Sequence, residues 1–208
     1  MATTDKASRY CPQCGKALKA CICQLITRID SDIPLIVLQH PSEVKQAVGT
    51  ARILSLSLPN CRIIVGEDFT DNAELNALLQ SDIAFALLYP ADDAKPIETW
   101  ESQPGMQRGL ILLDGTWRKA FKMWQLSENL KALPCVALGE TLKGNYRIRK
   151  SPKADGLSTV EAGFYALSAM TGKTEPFLPL IDAFNGMIDF QIQQMPPGVY
   201  EKHFGKRD

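Results

Sequence analysis

The stretch GLILLDGTWRKAFKMWQLSENL, residues 109–130, decides the fold. Residues 110–113 are apolar without a break, the pattern of a strand buried on both faces rather than one wetted at alternate residues. Asp114-Gly115-Thr116 ends the run with turn-forming chemistry, and residues 118–130 read as a helix. Strand, sharp turn and helix together make one unit of a layered α/β domain.

The same alternation runs outward in both directions. IPLIVLQH (33–40), CRIIVG (61–66), IAFALLYP (83–90) and LPCVALG (133–139) read as short strands. VKQAVGTARILSLSL (44–58), stopped by Pro59, and NAELNALLQ (72–80) read as helices, with an acidic, proline-containing loop over 91–108. STVEAGFYALSAMTG (158–172) and FLPLIDAFNGMIDFQIQQM (177–195) read as helices too. The pattern predicts an α/β fold: a mainly parallel sheet, helices on both faces, right-handed crossovers.

Ligands of such sheets bind beyond the carboxyl ends of the strands. That rule gathers His40-Pro41, Tyr89-Pro90 and Asp114–Trp117 along one rim. Neither GxGxxG nor GxxxxGK[ST] occurs, so a standard dinucleotide fingerprint and a Walker A loop are both excluded. Asp114-Gly115-Thr116-Trp117 admits a plain reading, an Asp or Thr helix cap with Trp117 packed in the core. That reading accounts less well for a carboxylate, a hydroxyl and an indole meeting at one strand end. Ser158-Thr159-Val160-Glu161 fits a capping box, and the same helix start is a candidate anion site.

Four of the six cysteines crowd into CPQCGKALKACIC as Cys11, Cys14, Cys21 and Cys23. The opening MATTDKASRY lacks an apolar signal core, so a cytosolic chain is expected and a disulfide cluster is not. The C-x₂-C-x₆-C-x-C spacing suits a structural Zn²⁺ with no open position for water, redox chemistry being the alternative. Cys61 and Cys135 lie in apolar runs and read as core residues.

The 208 residues are 45% hydrophobic and 22% charged, enough for a sizeable core. No apolar run reaches membrane-spanning length. Formal net charge is zero, which excludes a uniformly basic coat. Residues 67–101 hold nine acids against Lys95 alone, whereas 118–153 hold nine bases against Glu128 and Glu140. Such segregation permits a basic face for a polyanion, and equally a solubilising mosaic.

Seven short motifs fall in the order of a known family. They are the cysteine cluster, Gln39-His40-Pro41-x-Glu43, Thr50-x-Arg52, Leu88-Tyr89-Pro90, Leu113-Asp114-Gly115-Thr116-Trp117, Tyr146-Arg147-Ile148-Arg149, and Leu157-Ser158-Thr159-Val160-Glu161-Ala162. On these the chain resembles the DTW-domain family over nearly its whole length, although that family often carries Phe in place of Tyr89. The resemblance implies a SPOUT-like fold with a carboxy-terminal knot that holds S-adenosylmethionine. It divides the chain into a zinc knuckle (1–30) and a catalytic domain (31–208). It also implies transfer of a 3-amino-3-carboxypropyl group from S-adenosylmethionine to N3 of a tRNA uridine, at tRNA position 47 in the bacterial members that look most similar.

Residue roles follow from that resemblance. Asp114 becomes the candidate base for the weakly acidic N3–H, with Thr116 hydrogen-bonding beside it and Trp117 stacking or walling the pocket. Leu88, Tyr89, Pro90, Leu113, Gly115, Thr116, Ser158, Thr159 and Glu161 are expected around the cofactor. Arg52, Arg118, Lys119, Arg147, Arg149 and Lys150 are expected on tRNA phosphates, joined by Lys16 and Lys19 of the knuckle. Two rival readings remain: a zinc-containing RNA-binding protein without catalysis, and a SPOUT-like RNA methyltransferase.

Overall fold

The computed structural model describes residues 8–139 and 156–200. Six strands form one sheet: β1 (Leu35–Gln39), β2 (Cys61–Val65), β3 (Ile83–Leu88), β4 (Lys95–Pro96), β5 (Gln107–Asp114) and β6 (Cys135–Ala137). Their order is β2-β1-β5-β3-β6-β4, and every pairing is parallel. The helices are α1 (Ala51–Ser57), α2 (Ala73–Leu79), α3 (Trp117–Leu126), α4 (Glu128–Lys131), α5 (Thr159–Thr171) and α6 (Leu178–Gln193).

Period-two alternation sends strand side chains into two separate cores. Leu35, Val37, Leu110 and Leu112 meet α1, α5 and α6 on one face. Ile36, Leu38, Phe85, Leu87 and Ile111 meet Leu75, Met123 and Leu130 of α2, α3 and α4 on the other. Helices therefore cover both faces, as the continuous apolar strands require. Gly163 lets α1 close on α5: a Cβ there would lie 2.8 Å from a Leu54 methyl.

Several elements differ from the sequence reading. The helix expected over 44–58 survives only as α1, with a single helical turn at Pro41–Glu43 before it. Gly49 breaks the span, closing a turn onto the Gln46 carbonyl at 3.0 Å. The helix expected over 118–130 starts one residue earlier and breaks at Ser127, which turns extended and accepts the Phe69 N–H on its hydroxyl. The loop expected over 91–108 contains the two-residue strand β4 and the first residues of β5. Pro96 is tolerated in β4 because that strand lies at the sheet edge.

The amino-terminal segment packs on the same body. Cys11, Cys14, Ile22 and Ile29 belong to the core that α1, α5 and α6 share. Leu25 lies against Gly186 of α6. Among the described residues, no helix is long and apolar enough to cross a membrane.

Candidate functional site

β5 delivers Asp114 to the carboxyl edge of the sheet, in register with Gln39 at the end of β1. Gln39 Nε2 donates to Asp114 Oδ2 at 2.7 Å, and the Thr159 hydroxyl donates to Oδ1. The His40 N–H adds a bond to the Asp114 carbonyl at 3.0 Å. The residue is only 6% exposed, so this carboxylate is desolvated yet satisfied. It ties β1, β5 and the start of α5 to one point.

The turn after Asp114 divides the plain reading in two. Thr116 is the N-cap of α3, its hydroxyl accepting the Lys119 N–H at 3.4 Å. Trp117 is 47% exposed rather than packed in the core. Gly115 does not adopt a positive φ. Its lack of a Cβ matters for space, since a Cβ would come 3.0 Å from that of Lys119.

At α5 the capping box forms in full. Glu161 Oε2 accepts from the Ser158 N–H at 2.8 Å and from its hydroxyl at 2.6 Å, and Ser158 Oγ accepts the Glu161 N–H. Thr50 Oγ1 accepts the Val160 N–H at 3.2 Å. The N–H groups of Ser158, Val160 and Glu161 are thus already engaged by the chain's own oxygens. An anion at this terminus has the Thr159 N–H to draw on, a weaker site than the sequence alone suggests. Glu161, expected beside the cofactor, is 2% exposed and folded back on Ser158.

β3 stays in register with β5 as far as Leu87, opposite Ile111, and Leu88, Tyr89 and Pro90 continue beyond it toward the same edge. The Tyr89 ring lies on Trp124 of α3 with centroids 4.8 Å apart, and burial pushes the Tyr89 phenol above its ordinary pKa. Leu88, Tyr89, Leu113, Gly115, Thr116, Ser158 and Thr159 thus come to one edge of the sheet.

Charged groups on this edge pair with one another. Lys119 Nζ, expected on RNA, binds Glu43 Oε1 at 2.7 Å. Lys122 binds Glu67 at 2.9 Å, and His40 Nε2 meets the other Glu67 oxygen at 3.0 Å. His40 Nδ1 accepts the Ser42 N–H at 3.2 Å, which leaves the proton on Nε2 to donate to Glu67. Hydrogen bonds from Lys122 and then His40 hold the Glu67 carboxyl below the ordinary range. Gln39, His40 and Glu43 were expected on the rim or in a motif but without these roles, and Glu67 and Lys122 were not expected at the site. Gln39 left a signal, a lone amide ending an apolar strand; Glu67 left none, because its partners are distant in sequence.

Arg118 is exposed beside Trp117. Arg52 lies in α1 with its guanidinium beside Gly15 of the knuckle. Arg147, Arg149 and Lys150 lie outside the described residues. Lys16, also expected on RNA, donates instead to the carbonyls of Ala47 (2.7 Å) and Gly49 (3.1 Å), and burial lowers its pKa.

The four knuckle sulfurs all lie within 4.8 Å of one another. Cys11 and Cys23 are 3.7 Å apart, Cys14 and Cys21 3.8 Å. A tetrahedron with Zn–S near 2.3 Å has edges of about 3.8 Å, so the spacing fits a thiophilic four-coordinate ion. Backbone N–H groups of Cys14 and Gln13 point at the Cys11 sulfur and lower its pKa to about 6, while without a cation burial and the neighbouring thiols push Cys23 up to about 12, so Cys11 is the first to lose its proton. Cys61 behaves as a core residue, its thiol pushed up to about 12 by burial.

A parallel sheet carries a buried carboxylate at its carboxyl edge between two helix starts, and four thiols that could hold a metal ion pack on the same body: an α/β domain with a candidate ligand edge. The chain belongs to the DTW domain family, whose profile matches residues 8–192. It is 28% identical to tRNA-uridine aminocarboxypropyltransferase 2 of Drosophila melanogaster, over 95% of this chain and 85% of that protein. The proteins of the same name from Mus musculus and Macaca fascicularis are each 26% identical, over 88% of this chain. The matched region spans 63% of their length. No solved structure matches the chain.

Proposed function

We propose that this chain is a tRNA-uridine aminocarboxypropyltransferase, moving the 3-amino-3-carboxypropyl group of S-adenosylmethionine to uridine N3. The observation that carries the reading is the Gln39–Asp114–Thr159 junction: a fixed carboxylate at the sheet rim, in a family whose named relatives carry out this transfer. When bound, the cofactor supplies an electrophilic methylene on a sulfonium. One N3–C bond forms, one S–C bond breaks with its electron pair leaving on sulfur as methylthioadenosine, and the N3 proton is lost. Asp114 accepts that proton or a hydrogen bond from it, and its two anchors keep it aimed.

The donor set at the rim fits the group. Backbone near Leu88, Tyr89, Pro90 and Leu113 would border the adenine, while Gly115, Thr116, Ser158 and Thr159 would face the methionine end. Glu161 would act there by holding Ser158. Zn²⁺ would sit on Cys11, Cys14, Cys21 and Cys23 as a fold element. In this reading residues 1–30 form the zinc knuckle and 31–208 a SPOUT-like catalytic domain with a carboxy-terminal knot. tRNA would approach along Arg52, Arg118, Arg147, Arg149 and Lys150, with Lys119 able to join only by leaving Glu43, in the cytoplasm, with tRNA position 47 as the target.

Incubation with S-adenosylmethionine and unmodified tRNA tests the reading. Methylthioadenosine formation supports it. S-adenosylhomocysteine would make the enzyme a methyltransferase, and neither product would leave an RNA-binding protein.

A further inference from the structure

Among the described helices, only α3 combines exposed aromatic rings with charges of a single sign. Trp117, Phe121 and Trp124 follow one another at i, i+4 and i+7, inside about 60° of arc. Ala120 and Met123 on one side of this stripe are buried in the fold. Arg118 and Gln125 border it on the other side, both exposed, with Lys122 beyond. The stripe begins at the turn that follows Asp114.

Two of the three rings are held in place. Trp124 is backed by Tyr89 at 4.8 Å and 32°, and Phe121 meets Trp124 edge-on at 6.3 Å and 61°. Yet Trp117 and Phe121 remain 47% and 52% exposed. Exposed, preorganised rings beside a cation match the way single-stranded nucleic acid is held, by stacking that every base can supply.

We infer that the α3 stripe is a base-stacking surface for unpaired tRNA nucleotides flanking the target uridine. The inference rests on the proposed tRNA reading and adds the surface that would hold the strand. N3 of a uridine is hidden in a base pair, so the target must be unstacked and its neighbours need support. Lys119 and Lys122 are already paired with Glu43 and Glu67, whereas Arg118 has no ion pair among the described residues. Stacking, with one cation, therefore supplies the hold. A second copy fits the face poorly, because a symmetric contact would set this basic helix against itself.

The test measures binding of an unmodified tRNA transcript by fluorescence anisotropy over a salt series, for Phe121→Ala, Phe121→Tyr and Arg118→Ala. Phe121→Ala should weaken binding on the order of tenfold at every salt concentration, leaving the salt slope and S-adenosylmethionine affinity unchanged. Phe121→Tyr should restore it, and Arg118→Ala should lower the slope by about one. Unchanged tRNA affinity in Phe121→Ala overturns the inference. So does a loss of self-association in sedimentation with tRNA affinity intact, which would make the stripe a contact between copies. Methylthioadenosine formation alongside unchanged Phe121→Ala binding would sink the stacking surface alone. Phe121-sensitive RNA binding without any transfer would sink the transfer reading alone.

Discussion

Gln39 and Asp114 are joined at two levels: their Cα atoms are register partners across β1 and β5, and Gln39 Nε2 donates to Asp114 Oδ2 at 2.7 Å. With Thr159 on the other oxygen, the carboxylate has no freedom to swing toward a ligand. In the proposed reaction the uridine nitrogen would have to come to it. This is preorganisation, in which groups are ordered during folding rather than during the reaction.

Asp114→Asn is expected to fold and to lose transfer rate by on the order of 10²–10⁴. Asparagine keeps an acceptor for one anchor but turns an amide toward the other, which costs about 1–3 kcal/mol unless the Thr159 hydroxyl rotates to accept. Single-turnover rates and S-adenosylmethionine titration separate the roles. A near wild-type rate reduces Asp114 to a structural junction, and loss of cofactor binding moves it into the cofactor site.

Ser158→Ala removes both the cap and a hydroxyl donor to the buried Glu161. Urea denaturation should report a loss of about 1–2 kcal/mol. An unchanged midpoint would mean that the Ser158 N–H satisfies Glu161 sufficiently.

The cysteine centre should hold one zinc per chain by elemental analysis. A chelator should lower the thermal midpoint, since Cys11, Cys14 and Ile22 line the shared core. A metal-free protein with an unaltered melt would contradict the thiolate geometry.

Lys16→Met should cost about 1–3 kcal/mol through the two carbonyls it leaves without their charged donor, with zinc content unaltered. If tRNA affinity falls while the melt does not, Lys16 contacts RNA after all.

Glu67→Gln should lower the melting midpoint near neutrality and match wild type in acid. Glu67 has a lower pKa folded than unfolded, so its pairing stabilises fully above the ordinary glutamate value and fades as pH falls through the lowered one. Paired melts over a pH series check this. A difference that persists in acid would assign the effect to packing.

Strands and two-sided helix coverage were legible because runs such as Leu110–Leu113 admit no wet face. The capping box and the sulfur cluster were legible because each is local, with every partner within about a dozen residues. What escaped was set by contacts far apart in the chain. Lys16 and Lys119 look like RNA ligands in sequence because nothing nearby opposes them; Ala47, Gly49 and Glu43 do so only after folding. Ser127 breaks a helical pattern because Phe69 takes its hydroxyl, a partner 58 residues away.

The strand order has a consequence for synthesis on the ribosome. β5 lies between β1 and β3, yet it is made after both, and β6 must arrive before β4 can pair. Until residue 114 emerges, β1 pairs with β2 alone and β3 has no neighbour; its edges, bearing Phe85 and Leu87, stay open. A nascent chain halted before β5 exposes apolar strand edges that recruit chaperones or self-associate. The strand that delivers Asp114 is thus also the one that joins the β1–β2 pair to β3, so the carboxylate reaches its place in the same event that unites the two parts of the sheet.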